Sequence, residues 1–240
     1  MREDSRIIVI TGASSGVGEY AARRLGRDKE NHLVLVARRE ENLAKLADEI
    51  TSLGGSATIF PADVTDEDSV KDLSYYLGEA YGRVNVLFNN AGLGIFRPLI
   101  ELEPQEWKLM NDVMVYGTFL CTKHLLPLMM EATEPRHVLV NSSLWGFRGD
   151  TALCTAYVAA KFAQRGLTLS LREELRHHDI KVTCLMPGSI DTPFFDDNSW
   201  AHDPTRILDP EELAEVIRDI IEYRGNLVIE DVVIQSINPD

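Results

Sequence analysis

Residues 7–18 read IIVITGASSGVG, and this stretch decides the fold. Ile7 to Ile10 is a short β-branched run typical of a buried strand, and the helical pattern of Glu19 to Leu25 follows the glycines directly. A glycine turn between strand and helix lets backbone amides approach a phosphate and directs the positive end of the helix dipole toward it. The spacing is G-x-x-x-G-x-G, which differs from the G-x-G-x-x-G of the commonest dinucleotide fingerprint. The alternative is an ordinary glycine-rich turn.

The rest of the chain repeats the alternation of strand and helix. Residues recurring at intervals of three and four predict helices, among them a long one over Pro104–Met130 and another over Tyr157–His178. The alternation predicts an α/β fold, a single Rossmann-type doubly wound parallel sheet flanked by helices on both faces. We expect one domain over residues 1–240, with a substrate-binding segment at about 188–208. The predicted strands are Ile7–Ile10, His32–Ala37, Ala57–Pro61, Val84–Phe88, His137–Val140, Lys181–Leu185 and Leu227–Ile234.

The end of the second predicted strand bears on the choice of cofactor. In dinucleotide-binding folds an acidic residue near this point binds the ribose of NAD, whereas an arginine accommodates the 2′-phosphate of NADP. Here Ala37 ends the strand, and Arg38 and Arg39 follow it. This favours NADP over NAD, with a solvated ion pair to Glu40 and Glu41 as the alternative.

The fourth predicted strand ends in Asn89-Asn90-Ala91-Gly92. Side-chain amides and small residues at the carboxyl end of a strand fit the crevice in which open α/β sheets bind their ligands. The same residues are also common turn formers, so the pattern alone leaves both interpretations open.

Tyr157 and Lys161 lie four residues apart in a segment without proline, which reads as a helix. Residues four apart share one helix face, so the pattern places an ammonium beside a phenol. A nearby positive charge favours the phenolate, and a phenol tuned in this way can exchange a proton with a carbonyl or an alcohol. The alternative is a tyrosine and a lysine that share only a solvated surface.

Composition excludes several classes of function. A net charge of −14 argues against binding to nucleic acid or an anionic membrane, because phosphate backbones select basic surfaces. The N-terminus shows no signal-peptide pattern and we find no apolar run suited to a bilayer, so we expect a cytoplasmic protein. Cys121, Cys154 and Cys184 lie far apart, without the spacing of a disulfide framework or a metal site, and we predict no metal.

Together these motifs resemble the classical short-chain dehydrogenases/reductases over nearly the full length of the chain. The resemblance implies three catalytic residues: Ser143 would hydrogen-bond the substrate oxygen, and Tyr157 would transfer the proton. Lys161 would bind the nicotinamide ribose and lower the pKa of Tyr157. The matching motifs, in the family's order and close to its spacing, are Thr11–Gly18, Asn89–Gly92, Ser143, Tyr157 with Lys161, and Pro187–Thr192.

The resemblance also implies the cofactor site. The glycine turn would hold the pyrophosphate and the adjoining ribose, Asp63 and Val64 would flank the adenine, and Ile190 and Thr192 would touch the nicotinamide end. The implied cofactor-binding residues are Gly12, Ser14, Ser15, Gly16, Val17, Gly18, Arg38, Arg39, Asp63, Val64, Asn90, Ala91, Gly92, Tyr157, Lys161, Pro187, Gly188, Ile190 and Thr192.

Two positions depart from the family pattern. Thirteen residues separate Ser143 from Tyr157 where the family usually has twelve, and Ser142 is a second candidate for the same role. Met114 stands where the family places a helix asparagine, three residues before Gly117. A thioether is only a weak acceptor, so the water that the asparagine normally holds beside the lysine would lose its support.

We therefore expect an NADP(H)-dependent oxidoreductase that moves a hydride between nicotinamide and a carbonyl or secondary alcohol. The expected substrate is a medium-sized hydrophobic carbonyl compound, a ketone or a 3-oxoacyl-type molecule, and the protein is expected to form a homodimer or homotetramer. The alternative is an NADP(H)-binding sensor or scaffold of low activity, which Met114 alone supports. The residues expected around the substrate are mostly aromatic: Leu93, Phe96, Trp145, Phe147, Leu153, Phe194, Phe195 and Trp200.

Overall fold

The computed structural model describes residues 5–133, 135–194 and 207–237. It is built on one seven-stranded sheet in the order β3-β2-β1-β4-β5-β6-β7, in which every neighbouring pair is parallel. The Rossmann-type α/β prediction is thereby confirmed. The strands are β1 (Arg6–Thr11), β2 (Asn31–Ala37), β3 (Ala57–Pro61), β4 (Val86–Asn89), β5 (His137–Asn141), β6 (Lys181–Pro187) and β7 (Asp231–Ile234).

Helices cover both faces of the sheet, and two apolar clusters fill the layers between. The helices are α1 (Gly16–Leu25), α2 (Glu40–Ser52), α3 (Glu67–Tyr81), α4 (Pro104–Asn111), α5 (Gly117–Met130), α6 (Thr155–Leu175) and α7 (Pro210–Glu222). One cluster joins the sheet to α3, α5 and α6, with Leu73, Leu120 and Leu175 among its members. The other joins it to α1, α2 and α7 and includes Leu43 and Ile217.

The strand order places the site. β1 pairs with β2 on one side and with β4 on the other, so the direction of winding reverses between β1 and β4. Two loops that leave the carboxyl ends of neighbouring strands in opposite directions open a crevice between them. The turns after Thr11 and Asn89 therefore face each other across this crevice.

The helix predicted over Pro104–Met130 is interrupted. A π-helical turn, Asp112–Tyr116, separates α4 from α5, and the Met114 carbonyl within it binds Gln164 of α6. By length and composition alone the whole stretch could cross a membrane, contrary to the expectation that no apolar run suits a bilayer. In the structure, however, α5 packs on the sheet, with Leu120, Leu125 and Met129 in the core.

Several boundaries differ from the prediction. β4 starts at Val86 rather than Val84, because the Val84 amide donates to the Leu128 carbonyl of α5 instead of to a strand. β7 starts at Asp231 rather than Leu227, and the preceding turn is held by Lys181 Nζ through carbonyls of residues 223 and 225.

Candidate active site

The turn after β1 is locked to the end of β4 by hydrogen bonds. Asn90 Nδ2 donates to the carbonyl oxygens of Thr11 (3.0 Å) and Gly12 (3.3 Å). Thr11 Oγ1 in turn accepts from the backbone amides of Asn90 (2.9 Å) and Ala91 (3.1 Å). A Cβ at Gly18 would lie 2.5 Å from Asn90 Nδ2 and 2.6 Å from the Gly12 oxygen, so only glycine fits. These contacts fix the backbone of the glycine turn.

The turn presents the start of α1 to the cleft. Gly12 and Gly16 adopt φ of +65° and +58°, the left-handed region that favours glycine. Within the described part of the chain, no side chain caps α1, and Ser15 at the N-cap position makes no capping bond. The first amides of the helix are therefore available to an anion, which the helix dipole also favours.

The two arginines after β2 lie in different surroundings. Arg39 donates from Nη2 to Ser14 Oγ (2.9 Å) and Ser15 Oγ (2.6 Å), so its guanidinium is bound to the glycine turn. The Arg38 side chain is 71% exposed, and its Nη1 lies 4.0 Å from an Asp63 carboxylate oxygen. Both positive charges therefore stand at the same end of the cleft, with Arg39 bound to the turn and Arg38 extending into solvent.

At the other end of the cleft, β5 and α6 bring Ser143 and Tyr157 together. The Ser143 hydroxyl lies close enough to the Tyr157 phenol to lower its pKa. Ser143 Oγ also accepts from the Trp145 amide (3.2 Å), so its own proton is directed away from that amide. Ser142, the second candidate, instead donates to the Lys161 carbonyl (2.9 Å). The geometry thus favours Ser143 over Ser142 as the partner of the phenol.

Lys161 lies one helical turn after Tyr157, with Nζ 5.4 Å from the centre of the phenol ring. Nζ donates to the Asn141 carbonyl (2.8 Å) and to Gln164 Oε1 (3.0 Å). The sequence leads us to expect that the water beside Lys161 loses its support because of Met114. In the structure Gln164, on the same helix, accepts from Nζ directly.

Burial shifts the pKa of both groups. It raises the pKa of the Tyr157 phenol, and the neighbouring Ser143 hydroxyl only partly opposes this shift. Burial also lowers the pKa of Lys161 to about 7. The pKa of Tyr157 therefore lies above its ordinary value, because removal of the phenol from water is the largest influence on it, and a lowering of that pKa by Lys161 stays a prediction.

The predicted residues converge on one cavity of about 570 Å³. Gly18 lies behind its wall, packed against Asn90. The predicted cofactor and catalytic residues that line the cavity are Gly12, Ser14, Ser15, Gly16, Val17, Arg38, Arg39, Asp63, Val64, Asn90, Ala91, Gly92, Ser143, Tyr157, Lys161, Pro187, Gly188, Ile190 and Thr192.

With this geometry in place, comparison with known proteins identifies the family. Residues 6–202 match the family model described as short chain dehydrogenase. The chain belongs to this family. A curated relative, named an uncharacterized oxidoreductase of Staphylococcus saprophyticus, is 30% identical over 234 residues, which cover 97% of each chain.

Solved structures of other proteins share the fold along nearly the whole chain. An alcohol dehydrogenase from the archaeon Thermococcus sibiricus, complexed with 5-hydroxy-NADP, superposes with a TM-score of 0.90 at 31% identity and covers 98% of both chains. A variant of actinorhodin polyketide ketoreductase with NADPH gives a TM-score of 0.85 at 27% identity over 97% of both chains. Both of these neighbours hold a nicotinamide cofactor or its derivative.

The cleft of this short-chain dehydrogenase fits such a dinucleotide. The open amides of α1 and the positive charges of Arg38 and Arg39 suit phosphates. At the far end, Tyr157 and Lys161 provide hydrogen-bonding groups inside the same cavity. The hydrogen-bond donors therefore lie at both ends of the cleft. This distribution suits a long ligand with phosphates at one end and polar groups at the other.

The six predicted substrate residues that the structure describes divide into three groups. Leu93, Trp145 and Phe194 line the cavity. Phe96 packs edge-on against Tyr157, with ring centres 5.4 Å apart, and so supports the phenol. Phe147 and Leu153 are 47% and 45% exposed and lie outside the cavity wall. The remaining two, Phe195 and Trp200, lie outside the described residues.

Sequence reasoning missed Gln164, which contacts both Lys161 and the π-helical turn. A signal was present in the sequence. Tyr157, Lys161, Gln164, Thr168 and Arg172 recur at intervals of three and four, so they place polar groups along the buried stripe of α6. Buried polar side chains are hydrogen-bonded, and a stripe of this kind therefore predicts partners across the helix interface.

Proposed function

We propose that this short-chain dehydrogenase is an NADP(H)-dependent oxidoreductase that transfers a hydride between nicotinamide and a carbonyl or secondary alcohol. The observation that carries the proposal is the grouping of Tyr157, Ser143 and Lys161 at one end of a cleft whose other end is an anion site. When bound there, a nicotinamide cofactor supplies or accepts the hydride. The protein residues must then handle the proton and the charge on the substrate oxygen.

Tyr157 and Ser143 both act on the substrate oxygen. In the reduction direction, the Tyr157 hydroxyl gives its proton to the oxygen as negative charge develops there, and the Ser143 hydroxyl donates a hydrogen bond to the same atom. Burial raises the pKa of the phenol and so keeps it protonated, as a proton donor requires.

Lys161 acts on the phenol and on the cofactor. Its Nζ lies near the Tyr157 ring and is held by the Asn141 carbonyl and by Gln164. From this position it stabilises negative charge left on the phenol after proton transfer and donates to a ribose hydroxyl of the bound cofactor.

NADP is proposed over NAD because of the residues at the carboxyl end of β2. Ala37 offers no carboxylate to a ribose, while Arg38 and Arg39 provide two guanidinium groups at that end. An arginine in this place accommodates the 2′-phosphate. The NADP derivative and NADPH in the two solved neighbours support the same choice.

The substrate is proposed to be a fairly apolar ketone or 3-oxoacyl-type compound. Leu93, Trp145 and Phe194 surround the reactive end of the cavity with apolar area. Such a surface binds alkyl or aromatic groups by burial and leaves specificity to a few polar atoms.

We further propose a cytoplasmic homo-oligomer of single-domain chains that binds neither nucleic acid nor membrane. Exposed aromatic residues on the outer surfaces of α5 and α6 support association, since large apolar groups at a surface mark contact sites. Examples are Phe119 and Phe162, at 42% and 41% exposure. The net charge of −14 supports the remaining exclusions.

The sensor alternative loses its support in this structure. It depends on Met114 leaving the water beside Lys161 without support, whereas Gln164 gives Lys161 Nζ a direct protein acceptor, which favours the enzyme. Consumption of NADPH with a panel of aromatic and alkyl ketones tests the choice directly. Tight NADPH binding without turnover of any ketone or secondary alcohol would favour the sensor.

The variant Tyr157→Phe tests the proposed mechanism. It keeps the ring packing against Phe96 and Trp145 but deletes the exchangeable proton. We expect kcat to fall by at least ~10²-fold, the usual effect of losing a positioned acid or base, while the Kd for NADPH changes little. Tyr75→Phe is the matched control, since this tyrosine is 72% exposed on α3. Unchanged turnover in Tyr157→Phe would remove the phenol from the mechanism.

A further inference from the structure

Gln164 is a fully engaged amide in the buried layer behind the catalytic pair. The residue is 1% exposed. Its Oε1 accepts from Lys161 Nζ (3.0 Å), and its Nε2 donates to the Met114 carbonyl (2.8 Å) and to Thr118 Oγ1 (3.1 Å). A flipped amide would place its NH₂ against the lysine amine and its oxygen against the Met114 carbonyl. The hydrogen bonds therefore fix the orientation of the amide.

Thr118 completes the support. Its hydroxyl donates to the Met114 carbonyl (2.6 Å) and at the same time accepts from Gln164. The carbonyl of the π-helical turn thus receives two donors, and the Gln164 side chain is held at three points between α5, the turn and α6. A buried amide is costly unless its groups are paired, and here they are.

We propose that Gln164 is a positioning residue that holds Lys161 Nζ in place beside Tyr157 and anchors it to the π-helical turn. This inference rests on the proposed function, because it assumes that Lys161 acts on Tyr157 and on the cofactor. By family resemblance an asparagine would stand where this chain has Met114. The support for Lys161 comes instead from Gln164, about one turn after the lysine on α6.

The geometry also limits the route of the proton. Gln164 Oε1 carries no proton, and the amide nitrogen gives its hydrogens to Met114 and Thr118. A proton cannot pass from Lys161 to the π-helical turn through these atoms. Tyr157 therefore does not regain its proton through Gln164, which acts as a support only.

Two substitutions separate this role from simple packing. Gln164→Met fills the space with an apolar chain and removes the acceptor. Gln164→Ala removes the acceptor but leaves room for a water, which would find three polar partners in Lys161 Nζ, the Met114 carbonyl and Thr118 Oγ1. We expect kcat to fall about 10- to 100-fold in Gln164→Met, the effect of one hydrogen bond to a charged group, and less in Gln164→Ala.

The loss of thermal stability in these two variants should follow the opposite order to the loss of kcat. The alanine variant loses more packing volume, so its Tm should fall further than that of the methionine variant. A side chain that only fills space would lower kcat and Tm in the same order. Gln105→Met, at an exposed glutamine of α4, is the surface control and should change neither quantity. Equal kcat in Gln164→Met and wild type would overturn the proposal.

A second readout does not depend on turnover. Titration of Lys161, followed by NMR of ¹³C-labelled lysine and assigned with Lys161→Arg, reports the loss of the acceptor directly. Without Gln164 Oε1 the protonated amine is less stable, so its titration should move about one pH unit lower in Gln164→Met and less in Gln164→Ala. An unmoved titration refutes the contact in solution.

These measurements distinguish the two proposals. If no ketone is reduced by wild type while the Lys161 titration moves as expected, the proposed function fails and the role of Gln164 in holding Lys161 stands. If wild type is active and Tyr157→Phe is not, but Gln164→Met has normal kcat and an unmoved titration, only the inference about Gln164 fails.

Discussion

The two sides of the cleft are built in different ways. On the glycine-turn side, the critical geometry belongs to the backbone: positive φ at Gly12 and Gly16, and carbonyls bound by Asn90. On the α6 side, the critical geometry belongs to side chains: Lys161 is held by Gln164 and by the carbonyl of Asn141. The positive φ values follow from a local glycine pattern, whereas the orientation of the Gln164 amide depends on the π-helical turn, 50 residues earlier in the chain.

This difference predicts where each side tolerates change. A turn fixed by close backbone contacts has no room for a single added carbon. A network of side chains can exchange one polar partner for another, or for a water, as long as each donor finds an acceptor. Added side-chain volume should therefore disturb the glycine side most, and loss of a hydrogen-bonding group should disturb the α6 side most.

The largest effect among the following tests is expected at the rim of the glycine side, where side chains do matter. Arg38→Ala should weaken NADPH binding about 10- to 100-fold, the size of one charge-assisted hydrogen bond, and leave NADH nearly unaffected. Fluorescence titration of both cofactors measures the ratio. Arg39→Ala should lower NADPH affinity as well, and should also loosen Ser14 and Ser15, which its guanidinium binds.

Arg27→Ala serves as the control, because this arginine is exposed and follows the end of α1 that lies away from the glycine turn. It should change neither affinity. Equal losses of NADPH and NADH in Arg38→Ala would mean that the arginine does not recognise the 2′-phosphate, and the NADP assignment would fall.

The next largest effect concerns volume on the glycine side. Gly18→Ala places a Cβ 2.6 Å from the Gly12 carbonyl oxygen and 2.5 Å from Asn90 Nδ2, so either the turn or α1 must move. We expect a loss of about 1–3 kcal/mol in the free energy of unfolding, as in other overpacked sites, together with weaker binding of both NADPH and NADH. Urea denaturation and cofactor titration measure the two effects.

Gly166→Ala is the matched control on the α6 side. Among the described residues, and apart from the backbone of α6 itself, no atom would lie within 4 Å of a Cβ at this position. Alanine stabilises a helix interior by about 0.5–1 kcal/mol relative to glycine. The two glycine-to-alanine changes should therefore have opposite signs. A stabilising Gly18→Ala would show that the turn is looser than its contacts indicate.

The same contrast explains how much could be predicted from the sequence. Apolar runs and the glycine pattern were sufficient for the parallel sheet and for the cradle after β1, because both depend on local periodicity and backbone conformation. Spacing of four residues was sufficient to pair Tyr157 with Lys161 on α6. These features come from short stretches of chain.

The remaining features depend on contacts between distant segments. The helix over Pro104–Met130 is interrupted at the turn in which the Met114 carbonyl accepts a hydrogen bond from Gln164, 50 residues later. The raised pKa of Tyr157 comes from burial, which the sequence pattern does not measure. The exposed positions of Phe147 and Leu153 follow from the path of the loop before α6, in which Leu153 has a φ of +64°.

The smallest effect on turnover is expected for Met114→Asn. From the sequence alone this change should raise kcat modestly, because it restores the family's asparagine. In the structure Met114 is fully buried in an apolar cluster with Met110, Ala156, Tyr157 and Ala160, and Gln164 already supports Lys161. We therefore expect kcat to stay within about twofold of wild type, since the acceptor next to Lys161 is already present.

Stability should fall instead, by roughly 1 kcal/mol or more, because an amide among apolar neighbours is hard to satisfy. Steady-state kinetics and urea denaturation of the same preparation give both numbers. The informative comparison is the double variant Met114→Asn with Gln164→Ala. If asparagine and glutamine are alternative ways to support the lysine, Met114→Asn should raise kcat in the Gln164→Ala background while leaving it unchanged in wild type. A similar rise in both backgrounds would mean that Gln164 does not substitute for the asparagine, and that the α6 side is less adaptable than its hydrogen bonds indicate.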